Sequence, residues 1–161
     1  MFIMRYMKFL MILKFIEREK EMQNNLTFCL IKEDDDLLQT EIVGICPFAM
    51  ARSDIYMTWD RLDELCDVID NIVSSLEKRK VAWCSGTFGK GFAPAAELKI
   101  ERSDVRGHFS IELKMELNDG CQELHCCNFC ICAETQQLLN FQRSLMRFRK
   151  RRIGSEATLT I

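Results

Sequence analysis

The chain has 161 residues, of which 48% are hydrophobic and 29% charged, a composition that is typical of a folded globular domain and excludes a disordered chain. Its 24 acidic and 22 basic side chains leave a formal net charge of −2, which favours neither a nucleic-acid-binding protein nor a membrane-surface protein. This length suits one domain with an ordinary core. We therefore expect a single domain over residues 26–152, an apolar extension over residues 1–25 and a tail over residues 153–161.

The N-terminal residues 1–16 are apolar except for three cations and a tyrosine, and they read MFIMRYMKFLMILKFI. The run is shorter than the roughly 20 apolar residues that span a bilayer, and it lacks the small-residue cleavage site of a signal peptide. We expect a peripheral extension without stable membrane insertion. A membrane anchor and a native product that starts at Met22 stay open as alternatives, and the intact mass of the natively expressed protein tests the second.

The first half of the domain begins with two strands and a connection. Residues 26–32 and 37–46 have the composition of a β-hairpin, joined by an acidic turn at residues 33–36 and ended by Pro47. No form is assigned to the connection at residues 48–57.

A helix follows this connection. Thr58 is its predicted N-cap, and apolar residues then recur at three- and four-residue steps until about Lys78. Residues 77–80, of which the last three are basic, close the predicted helix. The predicted apolar face consists of Leu62, Leu65, Ile69, Ile72 and Leu76.

The second half continues with strands. Residues 81–88 predict a strand, and a glycine-rich loop follows it. Residues 95–102 and 108–117 alternate apolar and charged side chains, which predicts a hairpin with one face buried and one face in water. The charged face of its second strand contains Glu112, Lys114 and Glu116.

The last predicted strand, residues 123–133, has only His125 and Asn128 as clearly polar side chains. We expect this strand to be covered on both faces or to lie centrally in the sheet.

A final helix starts at its predicted N-cap Thr135, with an inner face made by Leu138, Phe141, Leu145 and Phe148. The tail after it is expected to be frayed or to add a short strand. The complete pattern predicts an α+β fold, with a mostly antiparallel sheet and two amphipathic helices packed on one of its faces.

Nine cysteines are an odd number at irregular spacing, which is a poor disulfide framework. We interpret them as reduced, buried residues of a cytoplasmic protein. Cys127 and Cys130 have the C-x-x-C spacing of a zinc site, but in a strand they point to opposite faces, so we expect no metal there. A zinc or redox site, or a metal-dependent enzyme that uses His125, remains the alternative.

Other motifs offer little chemistry. The run from Gly86 to Gly91 lacks the order of a phosphate-binding loop, and neither His108 nor His125 has a nucleophile placed beside it by a known motif. The C-terminal arginines suit a helix end, and no aromatic residues alternate with them as in a nucleic-acid-binding surface. We expect no catalytic residue, no cofactor and no nucleic-acid partner.

One helix face is acidic. Its residues follow helical spacing, and they flank the apolar stripe of the first predicted helix: Asp60, Asp63, Glu64, Asp67 and Asp70. Such a face is either solvated or a docking surface for a basic protein, where its charge would steer association. The acidic turn at residues 34–36 would extend it if the two lie close together.

The order of these elements resembles that of the WapI-like immunity proteins, small bacterial domains that neutralise polymorphic or contact-dependent toxins. The resemblance covers about residues 37–150 and is carried by three stretches, TWDRLDELCDVIDNIVSSL, AAELKIERSDVRGHFSIELKMEL and LHCCNFCICAETQQLLNFQRSL. It implies a domain without active site or cofactor that binds and blocks a cognate toxin, and it carries over no binding residues. A scaffold module of a larger assembly and a nucleotide- or small-ligand-binding domain are the alternatives, and the oligomeric state stays open.

Overall fold

The computed structural model describes residues 24–89, 93–117, 124–150 and 153–160. Residues 1–23 of the predicted extension lie outside these ranges. The elements follow in the order β1 (Asn25–Asp34), β2 (Leu37–Cys46), β3 (Ala49–Thr58), α1 (Trp59–Ser74), β4 (Lys80–Ser85), β5 (Ala96–Arg102), β6 (His108–Leu117), β7 (His125–Glu134), α2 (Thr135–Met146), a 3-10 turn (Phe148–Lys150) and β8 (Glu156–Thr160).

The strands form two antiparallel sheets of four strands each. The first sheet has the order β3-β2-β1-β8 and the second the order β4-β5-β6-β7. The α+β class is therefore confirmed. The division into two sheets is not visible in the alternation of side chains, because a strand's pattern shows which face is buried but not which strand lies beside it.

One core joins both sheets and both helices. Phe28 of β1 lies near its centre, with its ring centroid 6.2 Å from that of Trp83 on β4 and 5.6 Å from that of Phe141 on α2. The sheets approach closely at Gly44 of β2, where an added Cβ would lie 3.0 Å from the Leu113 side chain. Full burial of one such side chain stabilises the fold by about 1.5–3 kcal/mol.

Strand β3 occupies the connection to which the sequence assigns no form. Only its second half shows clear alternation, with buried Ile55 and Met57 on either side of exposed Tyr56. Ser53 is also buried, a polar residue at an inward position. The pattern is therefore weak although the strand is long.

The N-terminus of α1 is as predicted, since the Thr58 hydroxyl accepts the Arg61 N–H at 3.4 Å. Its C-terminus is four residues earlier than predicted, at Ser74 instead of Lys78. Leu76 therefore lies beyond the helix and is 71% exposed, so its assignment to the inner face is wrong. The basic residues do not close the helix, because Lys80 already begins β4.

A distant side chain terminates α1. The guanidinium group of Arg102, on β5, donates to the carbonyl oxygens of Ile72, Val73 and Ser75, and lies 4.8 Å above the Phe109 ring. These carbonyls belong to the last turn of the helix, where intrahelical donors are absent. A cation from the second sheet thus has the role that the sequence assigns to residues 77–80.

The prediction for β7 is wrong. The strand lies at the edge of the second sheet. Only one of its faces is buried, the face that carries Phe129, Ile131 and Ala133. The opposite face carries three exposed thiols, those of Cys126, Cys130 and Cys132. The interpretation of the cysteines as buried is also wrong for most of them: of the eight in the described ranges, only Cys66 is buried. Cysteine is small and apolar enough for either face, so its presence alone does not indicate burial.

The N-cap of helix α2 lies one residue earlier than predicted. Glu134 is the N-cap, and its N–H donates to the Gln137 side chain at 2.7 Å. The Thr135 hydroxyl instead donates to the Gly107 carbonyl at 3.1 Å, which ties the β5–β6 turn to the helix. The predicted inner face is confirmed, with Leu138, Phe141, Leu145 and Phe148 all buried. Of the two forms expected for the tail, the structure has the short strand β8, paired with β1.

Candidate functional site

The five acidic residues predicted on α1 are all exposed, but they differ in their partners. Asp63 pairs with Arg149 at 2.6 Å, and Glu64 pairs with Arg61 at 2.5 Å. Within the described ranges, no side-chain hydrogen bond or ion pair involves the other three carboxylates, those of Asp60, Asp67 and Asp70. Among the described residues, these three carboxylates therefore have no side-chain counter-ion.

The pairing of Asp63 belongs to a larger arrangement at the start of α1. The Arg149 guanidinium lies 5.3 Å above the Trp59 ring, and the Trp59 indole N–H donates to Glu33 at 3.1 Å. Glu33 is at the end of β1, so the β1–β2 turn lies against the first turn of α1. The sequence could not relate Asp63 to Arg149, because the two are 86 residues apart.

The acidic turn is thereby brought to the acidic helix. Leu37, which follows the turn, pairs with Thr58, which precedes α1. Asp34 pairs with Leu37 across the hairpin, so the turn carboxylates and Asp60 lie at the same end of the first sheet. We define the acidic surface as the exposed carboxylates Asp34, Asp35, Asp36, Asp60, Asp67 and Asp70.

A groove of about 360 Å³ borders this surface between α1 and β4. Asp67, Glu64 and the Arg61 that pairs with Glu64 lie on its helix side, and Val68 and Trp83 contribute apolar atoms. The Trp83 indole N–H donates to the Arg61 carbonyl at 2.7 Å, which holds the start of α1 against β4. The Asp67 carboxylate beside apolar atoms suits the aliphatic stem and the cationic head of a lysine or arginine side chain.

The two histidines do not form a common site. His108 begins β6 and pairs with Glu134, whereas His125 begins β7 and pairs with Leu117, so they lie at opposite ends of the two strands. The two imidazoles therefore cannot act on the same substrate or ion within one chain.

His108 has a structural partner. Its Nδ1 atom lies 2.6 Å from the Asp104 carboxylate, which also accepts the N–H groups of Arg106 and His108. The hydrogen bond from His108 is the main reason why the pKa of Asp104 is lowered to about 2, and the same bond raises the pKa of His108. The pair thus closes the β5–β6 turn.

The cysteines are arranged as the strand argument predicts. Cys127 is half-buried on the inner side of β7, whereas Cys130 faces outward beside Ser110. In the described part of the chain, no three His, Cys, Asp or Glu residues are placed to hold a metal ion. Burial is the main reason why the pKa of Cys66 is raised to about 12, and it also raises that of Cys127, which disfavours the reactive thiolate.

The N–H groups of the glycine-rich loop donate hydrogen bonds to a side chain of the same protein. Glu116, predicted to face water, is only 2% exposed, so that prediction is wrong. Its carboxylate accepts the N–H groups of Gly89 at 2.6 Å and Ala95 at 3.2 Å. The alternation of β6 breaks at this position because the carboxylate satisfies loop donors that would otherwise be buried without partners. Lys90 and Gly91 lie outside the described residues.

No protein-family model, curated protein or solved structure matches the chain. The resemblance to WapI-like immunity proteins therefore stays a prediction. Among the described helices, none is long and apolar enough to cross a membrane.

Proposed function

We propose that this chain is a non-catalytic protein-binding domain, and that it neutralises a cognate basic bacterial toxin by stoichiometric binding through its acidic surface. The observation that carries the proposal is the difference in pairing along α1. Asp60, Asp67 and Asp70 are exposed and lack side-chain partners in the described ranges, although their neighbours Asp63 and Glu64 are neutralised by arginines.

This arrangement costs stability in the isolated chain. Asp67 and Asp70, which have no ion-pair partner among the described residues, are three residues apart and therefore neighbours on the helix, and like charges on neighbouring helix positions destabilise a helix by about 0.2–0.5 kcal/mol per pair. A basic partner would convert the repulsion into attraction. Complementary charge also raises association rates and discriminates against acidic competitors.

The groove between α1 and β4 gives this surface a place for an anchoring side chain. An arginine of the partner that enters it would meet the unpaired carboxylate of Asp67, with Val68 and Trp83 against its stem, whereas Glu64 is already paired with Arg61. Arginine–carboxylate pairs are directional and are common at the centre of binding sites. The acidic surface would then provide steering, and the groove would provide specificity.

Co-purification from the native host tests the proposal. The expected result is one basic protein bound at a 1:1 ratio, whose expression without this chain stops growth and whose expression with it does not. A bound partner that is harmless alone would favour the scaffold alternative. A nucleotide that raises the melting temperature in a thermal-shift screen would favour the small-ligand alternative, since a ligand stabilises the state that binds it.

A further inference from the structure

Strand β7 has an unusual free edge. It is ten residues long, and it pairs with β6 over ten consecutive positions without a bulge. Residues 126–133 contain no charged side chain and no proline. In the described part of the chain, no strand is hydrogen-bonded to its outer edge.

The other three sheet edges are protected. β3 carries the charged residues Arg52 and Asp54, β8 has five residues and lies against α2, and β4 has six residues, starts with Lys80 and is flanked by α1. Charge, shortness and cover are the usual ways in which proteins prevent edge strands from pairing with other chains. Between Cys126 and Ala133, β7 has no charge, it is not short, and no described element covers its outer edge.

We propose that β7 pairs antiparallel with β7 of a second copy of this chain, across a two-fold axis, and joins two four-stranded sheets into one of eight strands. A two-fold axis normal to the sheet brings a strand edge against itself in the antiparallel direction, so the same edge supplies both partners. The absence of charge means that self-pairing opposes no like charges. A charged strand from another protein would find no complementary charge on this edge.

The outward thiols follow from this geometry. Opposed residues of an antiparallel pair share a face, so the outward side chains of the two copies meet only each other. A register centred on Cys130 places that residue opposite its own copy. A register centred on Phe129 places Cys126 opposite Cys132 of the second copy. In both cases thiols of different copies lie with their Cβ atoms about 4.5–5.5 Å apart.

The oligomeric state of the full chain in reductant tests the proposal by light scattering after size exclusion. The wild type is expected to be a dimer, and Cys130→Lys is expected to be a monomer, because a lysine on the outer face protects an edge. The matched control is Ala82→Lys, an exposed position on β4 at the opposite edge of the same sheet, which should remain a dimer. Asn128→Lys replaces Cys130→Lys if the latter does not fold, as judged by circular dichroism.

A short bis-maleimide crosslinker gives a second readout on the wild type. Intermolecular crosslinks are expected among Cys126, Cys130 and Cys132, and not at Cys29, which lies on the first sheet. A wild type that is monomeric at every concentration, or a control variant that dissociates as fully as Cys130→Lys, would overturn the proposal. A dimer crosslinked only at Cys29 would overturn it as well, since the interface would then be elsewhere.

Discussion

The start of α2 and the end of α1 are capped in different ways. α2 is capped by its own neighbours, Glu134 and Gln137, which are three residues apart. α1 is terminated by Arg102, which lies 27 residues beyond its last contacted carbonyl and on another sheet. The residues that cap the start of a helix are therefore often its neighbours in sequence, whereas the group that caps its end depends on which other elements pack beside it.

The helices also differ in how their exposed side chains are paired. On α2, Gln136 and Arg143 both donate to the Asn140 side chain, at 2.9 and 3.2 Å. On α1, Asp67 and Asp70 have no such partner among the described residues. These exposed polar side chains of α2 hydrogen-bond to one another, whereas the two carboxylates of α1 can still pair with a cation of another molecule.

Loss of the distant cap is expected to have the largest effect. Arg102→Ala should lower the free energy of unfolding by about 1.5–3 kcal/mol, because it removes charged hydrogen bonds to partly buried carbonyls. Urea denaturation measures this. Arg106→Ala, an exposed arginine on the adjacent turn, should stay within about 0.5 kcal/mol of the wild type. Equal losses in the two variants would mean that α1 is terminated locally.

Loss of the local cap should cost less. Gln137→Ala removes the acceptor of the Glu134 N–H and the donor to the Thr160 carbonyl of β8, and it should destabilise the chain by about 0.5–2 kcal/mol in the same assay. Gln136→Ala is the control, since among the described residues its side chain hydrogen-bonds only to Asn140, on the helix surface. The comparison of the two caps fails if Gln137→Ala is more damaging than Arg102→Ala.

The ion pair between the α1 surface and the C-terminal turn should contribute least. Asp63 and Arg149 are both about half exposed, so Arg149→Ala should cost about 0–1 kcal/mol, and less at high salt. Urea denaturation of both proteins in about 0.05 and about 0.5 M salt checks this, since the screening of charge pairs differs strongly between these concentrations. A salt-independent loss above this range would show that the contact with Trp59, and not the charge pair, holds the turn.

The turn that contacts α2 should show a small pH dependence. His108 has a raised pKa, so its contribution is complete below its ordinary pKa of about 6.5 and is lost as pH rises through the raised value. Asp104 has a pKa lowered to about 2, so its contribution is present above about pH 4 and lost as pH falls towards 2. The difference in melting temperature between wild type and His108→Gln should therefore be largest between about pH 4 and 6.5. A difference that is constant from pH 5 to 9 would contradict it.

Sequence predicted the features that depend on neighbouring residues. The Thr58 cap, the alternation around Ile111 and the apolar face around Phe141 all come from spacing within one element. The missed features depend on which elements meet. The burial of Glu116 requires loop donors 21 and 27 residues away, and the exposure of Cys130 requires β7 to lie at an edge.

The candidate site was predictable to the same extent. Helical spacing placed Asp60, Asp67 and Asp70 on an exposed face, as the structure shows. It could not show that Asp63 is neutralised by Arg149, because that pair forms only when the C-terminal turn packs beside α1.

Binding of the co-purified partner to charge-matched variants is the most direct measurement. One variant replaces Asp60, Asp67 and Asp70 by Asn; the other replaces Glu97, Glu101 and Glu112 on the second sheet by Gln, which removes the same charge elsewhere. Titration calorimetry should show 1:1 binding that is at least about tenfold weaker for the first variant, a loss of about 1.4 kcal/mol, and unchanged for the second. Equal affinities for the two variants, or no 1:1 complex with the wild type, would contradict binding through the acidic surface.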